Sequence, residues 1–175
     1  MPATIASKSA RALSLKDVTN AALRFLLGNR CVATMGLKQG STPAAVVTAA
    51  ASAYTYLVDG IFVTLTGSAA ANWLLDLATT INYKAIAAVT GVTQYTTFVL
   101  CNDATGTSFL SVQGPIVTAL ADITLGDIPA GYTPVGYVKI AVTSTNVFTP
   151  GTTSLTGTGV TATYVNCEVL PSGTL

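Results

Sequence analysis

Two stretches in the second half of the chain alternate side chains with a period of two, and that period commits them to β-strands with a buried face. Over 135–143, Gly136, Val138, Ile140 and Val142 point one way, and Tyr137, Lys139, Ala141 and Thr143 the other. Over 160–170, Val165, Cys167 and Val169 oppose Tyr164, Asn166 and Glu168. Pro129, Gly131 and Pro134 mark a turn before the first run. Between the runs, 146–159 is a loop rich in Thr, Gly and Pro.

The rest of the chain carries the same punctuation. The runs 53–58 and 61–66 flank Asp59-Gly60. Two such residues between β-type runs are the strongest local hairpin signal, because both central positions need positive φ. The runs 81–89 and 94–101 read as strands, and 95–101, apolar or Thr throughout, as a central one. Asn102 to Gly106 is a turn, with 107–113 as its return strand. The segment 30–37 reads as a short strand, and 38–43 as a linker. In 67–80, Trp73, Leu74 and Leu77 have helical spacing. Many short strands separated by turn residues point to a mainly β fold: an antiparallel sandwich or barrel-like body.

The first segment differs. Residues 1–13 are small, polar and basic and read as an extended arm. Ser14 to Asp17 has capping-box spacing, with Asp in place of Glu or Gln. Leu15, Val18, Ala22, Phe25 and Leu26 then recur at helical spacing up to Gly28. They predict one short amphipathic α-helix. The expected division is a basic arm and helix over 1–43 and a β-body over 44–175. Of the eight basic residues, Lys8, Arg11, Lys16, Arg24, Arg30 and Lys38 fall within the first 38 positions, opposed only by Asp17, which leaves that segment at +5. Lys84 and Lys139 against five Asp and Glu168 leave the remainder at −4. A basic head on an acidic body is a docking arrangement. Those six cations and Phe25 are the candidate partner-binding residues.

Only 9% of the chain is charged, while 50% is apolar and 29 residues are Thr. Ordinary globular chains are about 25% charged. A surface so poor in charge suits burial against copies or partners better than life as a free monomer. No window of about 18 residues is apolar enough for a spanning helix, so no membrane partner is expected. Cys31, Cys101 and Cys167 are odd in number and scattered, and are expected to be buried thiols rather than a disulfide framework. The basic start has its apolar run broken by Arg24 and shows no cleavage site. Synthesis in a cytoplasm is the expectation.

Catalytic chemistry finds few materials. Histidine is absent, and with it the commonest neutral-pH base and most zinc sites. Asp122 and Asp127 sit in a Pro- and Gly-bounded segment and read as solvated turn carboxylates. Gly157 to Ala162 formally fits a dinucleotide fingerprint, but a strand rather than a helix should follow it. No enzyme, cofactor or metal is expected. Six cations with only Phe25 among them give non-specific attraction to nucleic acid at best.

Residues 128–140 (IPAGYTPVGYVKI), 148–155 (FTPGTTSL) and 159–164 (GVTATY) resemble the C-terminal half of a family of small virion proteins of tailed bacteriophages. A fainter likeness lies in 54–64 (YTYLVDGIFVT); residues 1–50 and 67–88 carry none. The resemblance implies a capsid decoration (cement) or head-fibre protein on the virion surface. The expected partners are the major capsid protein, met by the arm, and further copies of the chain, as a trimer at lattice threefold positions. The alternative is a fibre base or an adhesion module for host glycans. The loops 146–159 and 67–80 would carry it, with Trp73 as the sugar-stacking aromatic unless it is a core anchor on a short helix, and Tyr132 and Tyr137 as the nearest alternatives.

Overall fold

The structure, a computed structural model, describes residues 28–32, 36–40, 46–49, 53–66, 72–166 and 175. The expected arm and helix lie outside these residues, apart from Gly28. Eleven strands follow: β1 (Arg30–Cys31), β2 (Leu37–Gln39), β3 (Val46–Ala49), β4 (Ala53–Val58), β5 (Ile61–Thr66), β6 (Asn72–Leu74), β7 (Thr80–Ile81), β8 (Gln94–Asp103), β9 (Phe109–Gln113), β10 (Tyr132–Val142) and β11 (Val160–Asn166). One 3-10 turn spans Leu120–Asp122. The chain is mainly β, as its alternation requires. No helix among the described residues is long and apolar enough to cross a membrane.

The strands form three sheets, ordered β1-β4-β5, β11-β10-β8-β9-β7 and β2-β3-β6. All pairs are antiparallel except β7 with β9. The five-stranded sheet is the middle of the molecule. Its β8 is buried from Thr96 to Asn102 without a break, which is why that run does not alternate in sequence. One face carries Phe98, Leu100, Val138, Ile140 and Val142, against which Tyr54, Tyr56, Trp73 and Leu37 pack from the two smaller sheets. The other face carries Val99, Cys101, Val112 and Tyr137, covered by Leu110, Leu125, Ile128 and Leu175. Cys31 and Cys101 are buried, as expected; Cys167 lies outside the described residues.

β10 begins earlier than its pattern indicates. Tyr132, Thr133 and Pro134 already pair with β8, and a bulge falls between Pro134 and Gly136. Proline donates no ladder hydrogen bond, and a bulge is one of the few sheet positions that accepts it. The extra residue also changes parity. Thr133 before the bulge, Val135 within it, and Val138, Ile140 and Val142 after it are all buried, with Val135 in the same core as the later three. The turn expected at 129–134 is thereby confined to Ala130 and Gly131.

Other expectations need correction. The segment with helical spacing around Trp73 is strand β6, paired with β3. The strand expected over 81–89 reduces to Thr80–Ile81 and one bridge between Ile86 and Phe148. Asn82 breaks it with φ 59, a left-handed conformation that Asn tolerates. The linker expected over 38–43 begins inside β2. The strand expected over 160–170 is observed to Asn166; residues 167–174 lie outside the described residues.

Candidate functional site

Of the candidate partner-binding residues, Lys8, Arg11, Lys16, Arg24 and Phe25 lie outside the described residues. Arg30 is half-buried in β1, opposite Leu57. Lys38 is exposed on β2, opposite Thr48. These last two cations are therefore part of the sheets.

β1 is tied to the hairpin that follows. The Asp59 N–H donates to Asn29 Oδ1 at 2.7 Å, and Asn29 Nδ2 donates to Asp59 Oδ1 and to the Tyr132 carbonyl, both at 3.3 Å. Asp59 (φ 48) and Gly60 (φ 83) make the two-residue turn that the sequence calls for. β4 runs inward from it, with Tyr54, Tyr56, Leu57 and Val58 buried. β5 returns along the outside. Val63 and Leu65 pack on the core, while Ile61 and Phe62 are 54% and 60% exposed. Among the described residues β5 pairs only with β4, so its other side is a sheet edge that none of them covers. The edge residues Ile61 to Thr66 include no charge and no proline, the usual devices that keep sheet edges apart. The Asp-Gly signal found the hairpin. Nothing in the sequence said that β5 would be an edge, since IFVTLT reads like the central TTFVLC.

A cleft of about 640 Å³ opens elsewhere, between the segment after β7 and the loop before β10. Asn82, Lys84, Gln113, Gly114, Thr124 and Asp127 are among its lining residues. Gln113, almost fully buried, holds the Lys84 backbone from both sides: its Oε1 accepts from Lys84 N–H at 2.7 Å, and its Nε2 donates to the Lys84 carbonyl at 2.9 Å. Lys84 and Asp127 are exposed at the rim. The lining offers one ammonium, one carboxylate and amides, with no nucleophile and base paired. It can hold polar groups; it has no constellation for bond-breaking. The sequence reading missed this cleft, because its halves are some 30 to 40 residues apart and only the fold unites them.

Of the aromatic residues named for sugar stacking, two are buried and one is half-buried. Trp73 is fully buried, edge-on to Phe109 with ring centres 5.5 Å apart. Its Nε1 donates to Asn102 Oδ1 at 3.0 Å and to the Cys101 carbonyl at 3.2 Å. Asn102 Nδ2 donates in turn to the Tyr54 hydroxyl at 2.8 Å. Tyr56 donates to the Asp103 carbonyl, also at 2.8 Å. This buried network joins β4, β6 and β8, one strand from each sheet, so Trp73 is a core anchor on a strand. Tyr137 is buried, and Tyr132 is half-buried with its hydroxyl 3.2 Å from Ser108 Oγ. The loop 146–159 is sewn to the body. Phe148 and Leu155 are buried, Phe148 exchanges two backbone hydrogen bonds with Ile86, and Tyr83 donates to the Pro150 carbonyl.

Burial pushes the Tyr56 phenol up to about 12, against a lowering hydrogen bond from Asn102 and with a further push from the Asp103 charge. Burial raises Tyr54 also. At Asp103 burial works upward but is outweighed by hydrogen bonds from the Thr105 hydroxyl and from the Ser108, Gly106 and Thr105 backbone, which hold the carboxyl below its ordinary value. These shifts belong to a packed junction and a tight turn. No family model, curated protein or solved structure matches this chain.

Proposed function

We propose that this chain is a structural subunit of a virus particle, a decoration or cement protein that binds the outer surface of a capsid lattice. The observation that carries the reading is the open, uncharged edge of β5, with Ile61 and Phe62 exposed beside it. A body that leaves such a strand uncovered is suited to assembly with other chains. The charge division supports docking: cations gather before position 38, and the rest of the chain is acidic. The phage-like motif over 128–164 falls on β10, the loop anchored by Phe148 and Leu155, and β11, so the likeness concerns the body that holds these surfaces. Lys8, Arg11, Lys16 and Arg24, with Phe25, engage the major capsid protein, and several subunits acting together multiply weak individual contacts. The glycan-binding alternative has lost its leading aromatic, since Trp73 is inside.

Density maps of purified particles, decorated with the full chain and with a variant in which those four arm cations are replaced by Glu, test the reading. The unaltered chain should cover the lattice, and occupancy should fall with rising salt because exposed charges are screened. The variant should leave the lattice bare while its circular dichroism stays that of the parent. Full occupancy by the variant removes the arm from the reading, and bare particles with the unaltered chain remove the cement role.

A further inference from the structure

In a ladder of antiparallel strands, residue pairs that exchange both backbone hydrogen bonds alternate with pairs that exchange none, and the pair closing a two-residue turn is a bonded one. Val58–Ile61 is that pair in the hairpin, so Tyr56–Val63 and Tyr54–Leu65 are bonded, and Leu57–Phe62, Thr55–Thr64 and Ala53–Thr66 are not. Two observations fix this phase. The Val32 N–H donates to the Thr55 carbonyl at 2.8 Å, so Thr55 directs its backbone to β1, away from β5. The Thr55 and Thr64 hydroxyls lie 2.9 Å apart, as the closer spacing of a non-bonded pair allows. Phe62, Thr64 and Thr66 consequently turn their N–H and C=O groups out of the sheet, and no described residue meets them.

We propose that this edge pairs with the same strand of a second copy, antiparallel, about a two-fold axis through Thr64. Thr64 then faces Thr64 of the copy, and Phe62 faces Thr66. This register turns every outward N–H and C=O of the three residues into a bonded pair at once. Centring on Val63 instead would leave Thr66 without a strand partner. The axis stands perpendicular to the sheet, so faces are preserved: Val63 and Leu65 stay on the core side in both copies. A second copy is the occupant that the strand fits. It brings the same two-residue spacing of donors and acceptors, and it meets no like charge, because 61–66 carries none. The β1-β4-β5 sheet then continues through both molecules, and an isologous contact of this kind closes at two copies. A dimer replaces the trimer expected from the resemblance. The pairing rests on the assembly reading only in taking the open edge as functional.

Analytical ultracentrifugation of the full chain tests it. The unaltered protein should sediment at twice the 17.8 kDa chain mass. Phe62→Lys puts an ammonium on the edge strand, the device by which sheet edges are kept from pairing, and Thr64→Pro removes an outward N–H that the hairpin itself does not use. Both should sediment at the chain mass with an unchanged far-ultraviolet spectrum. In Thr64→Cys the two Cα atoms would lie about 5.5 Å apart, within disulfide reach, so mild oxidation should link two chains that the parent leaves separate. A parent at the chain mass throughout a dilution series overturns the pairing, as does a mass above one chain that survives both Phe62→Lys and Thr64→Pro. Either result leaves capsid decoration standing. A dimer that leaves particles bare removes the decoration reading and keeps the pairing.

Discussion

β8 and β5 are built from nearly the same residues and end in opposite situations. β8 runs through QYTTFVLCND and β5 through IFVTLT. β8 has strands on both sides and a core on both faces, so even its threonines are enclosed: Thr96 donates to the Gly114 carbonyl and Thr97 to that of Thr124. β5 has one neighbour and one packed face, and its threonines lie exposed. A β-propensity is a statement about fitting a pleated surface, and it leaves the number of neighbours to the rest of the fold. The low charge of this chain is thus shared by two kinds of strand, one enclosed on both sides and one with an edge that no described residue covers.

The two phenylalanines give the sharpest contrast. Phe98 is fully buried and packs edge-on to Phe148, with ring centres 6.2 Å apart. Phe98→Ala should lower unfolding stability by about 4 kcal/mol in a urea titration, since it opens a cavity in the main core. A loss near 1 kcal/mol would mean that the smaller sheets do not clamp this face as described.

Alkaline pH probes the junction where the hairpin meets the central sheet. The Tyr56 phenol is raised from 10.0 to about 12 in the folded chain. Folding therefore favours its neutral form: that contribution is complete below pH 10 and is lost as pH rises through 12. The melting temperature should decline across that window, and less steeply in Tyr56→Phe. Equal decline in both proteins would take Tyr56 out of the effect.

Phe62→Ala completes the series. In solution dilute enough to keep the chains apart, its stability should match the parent within about 0.5 kcal/mol, as for other exposed positions. A larger loss would show that the ring is covered within a single chain, and the distinction between the two strands would narrow.

How far the sequence reveals this division depends on the range of the forces involved. The β4–β5 hairpin is legible because Asp59 and Gly60 set their turn locally. β10 and β11 are legible over the part where only one face is buried. The bulge at Pro134 hides the start of β10 by changing the parity of its pattern. Trp73 and Leu74 look helical because three residues of strand are too few to show a period; the assignment is made by β3, which precedes them in sequence and joins them only in the fold. Residues 38 and 39 look like part of a linker for a similar reason. The Leu37 N–H is taken by Asn166 Oδ1 at 2.9 Å, across 129 positions of sequence. The cleft at Lys84 needs Gln113 to hold it, again from a distant segment. The cations before position 28 are legible as charge, and they lie outside the described residues.

The bond from Leu37 to Asn166 also sets an order of events during synthesis. The β4–β5 hairpin has all its residues once Thr66 leaves the ribosome, whereas the bond that ties Leu37 to β11 cannot form until Asn166 follows. At about 5–20 residues per second, the intervening stretch takes roughly 5 to 20 seconds to make. Throughout that interval a nascent chain can show its finished hairpin before the central sheet exists. Neighbouring chains on one message would then hold their open β5 edges close together at high local concentration, so copies could find each other while each is still being made.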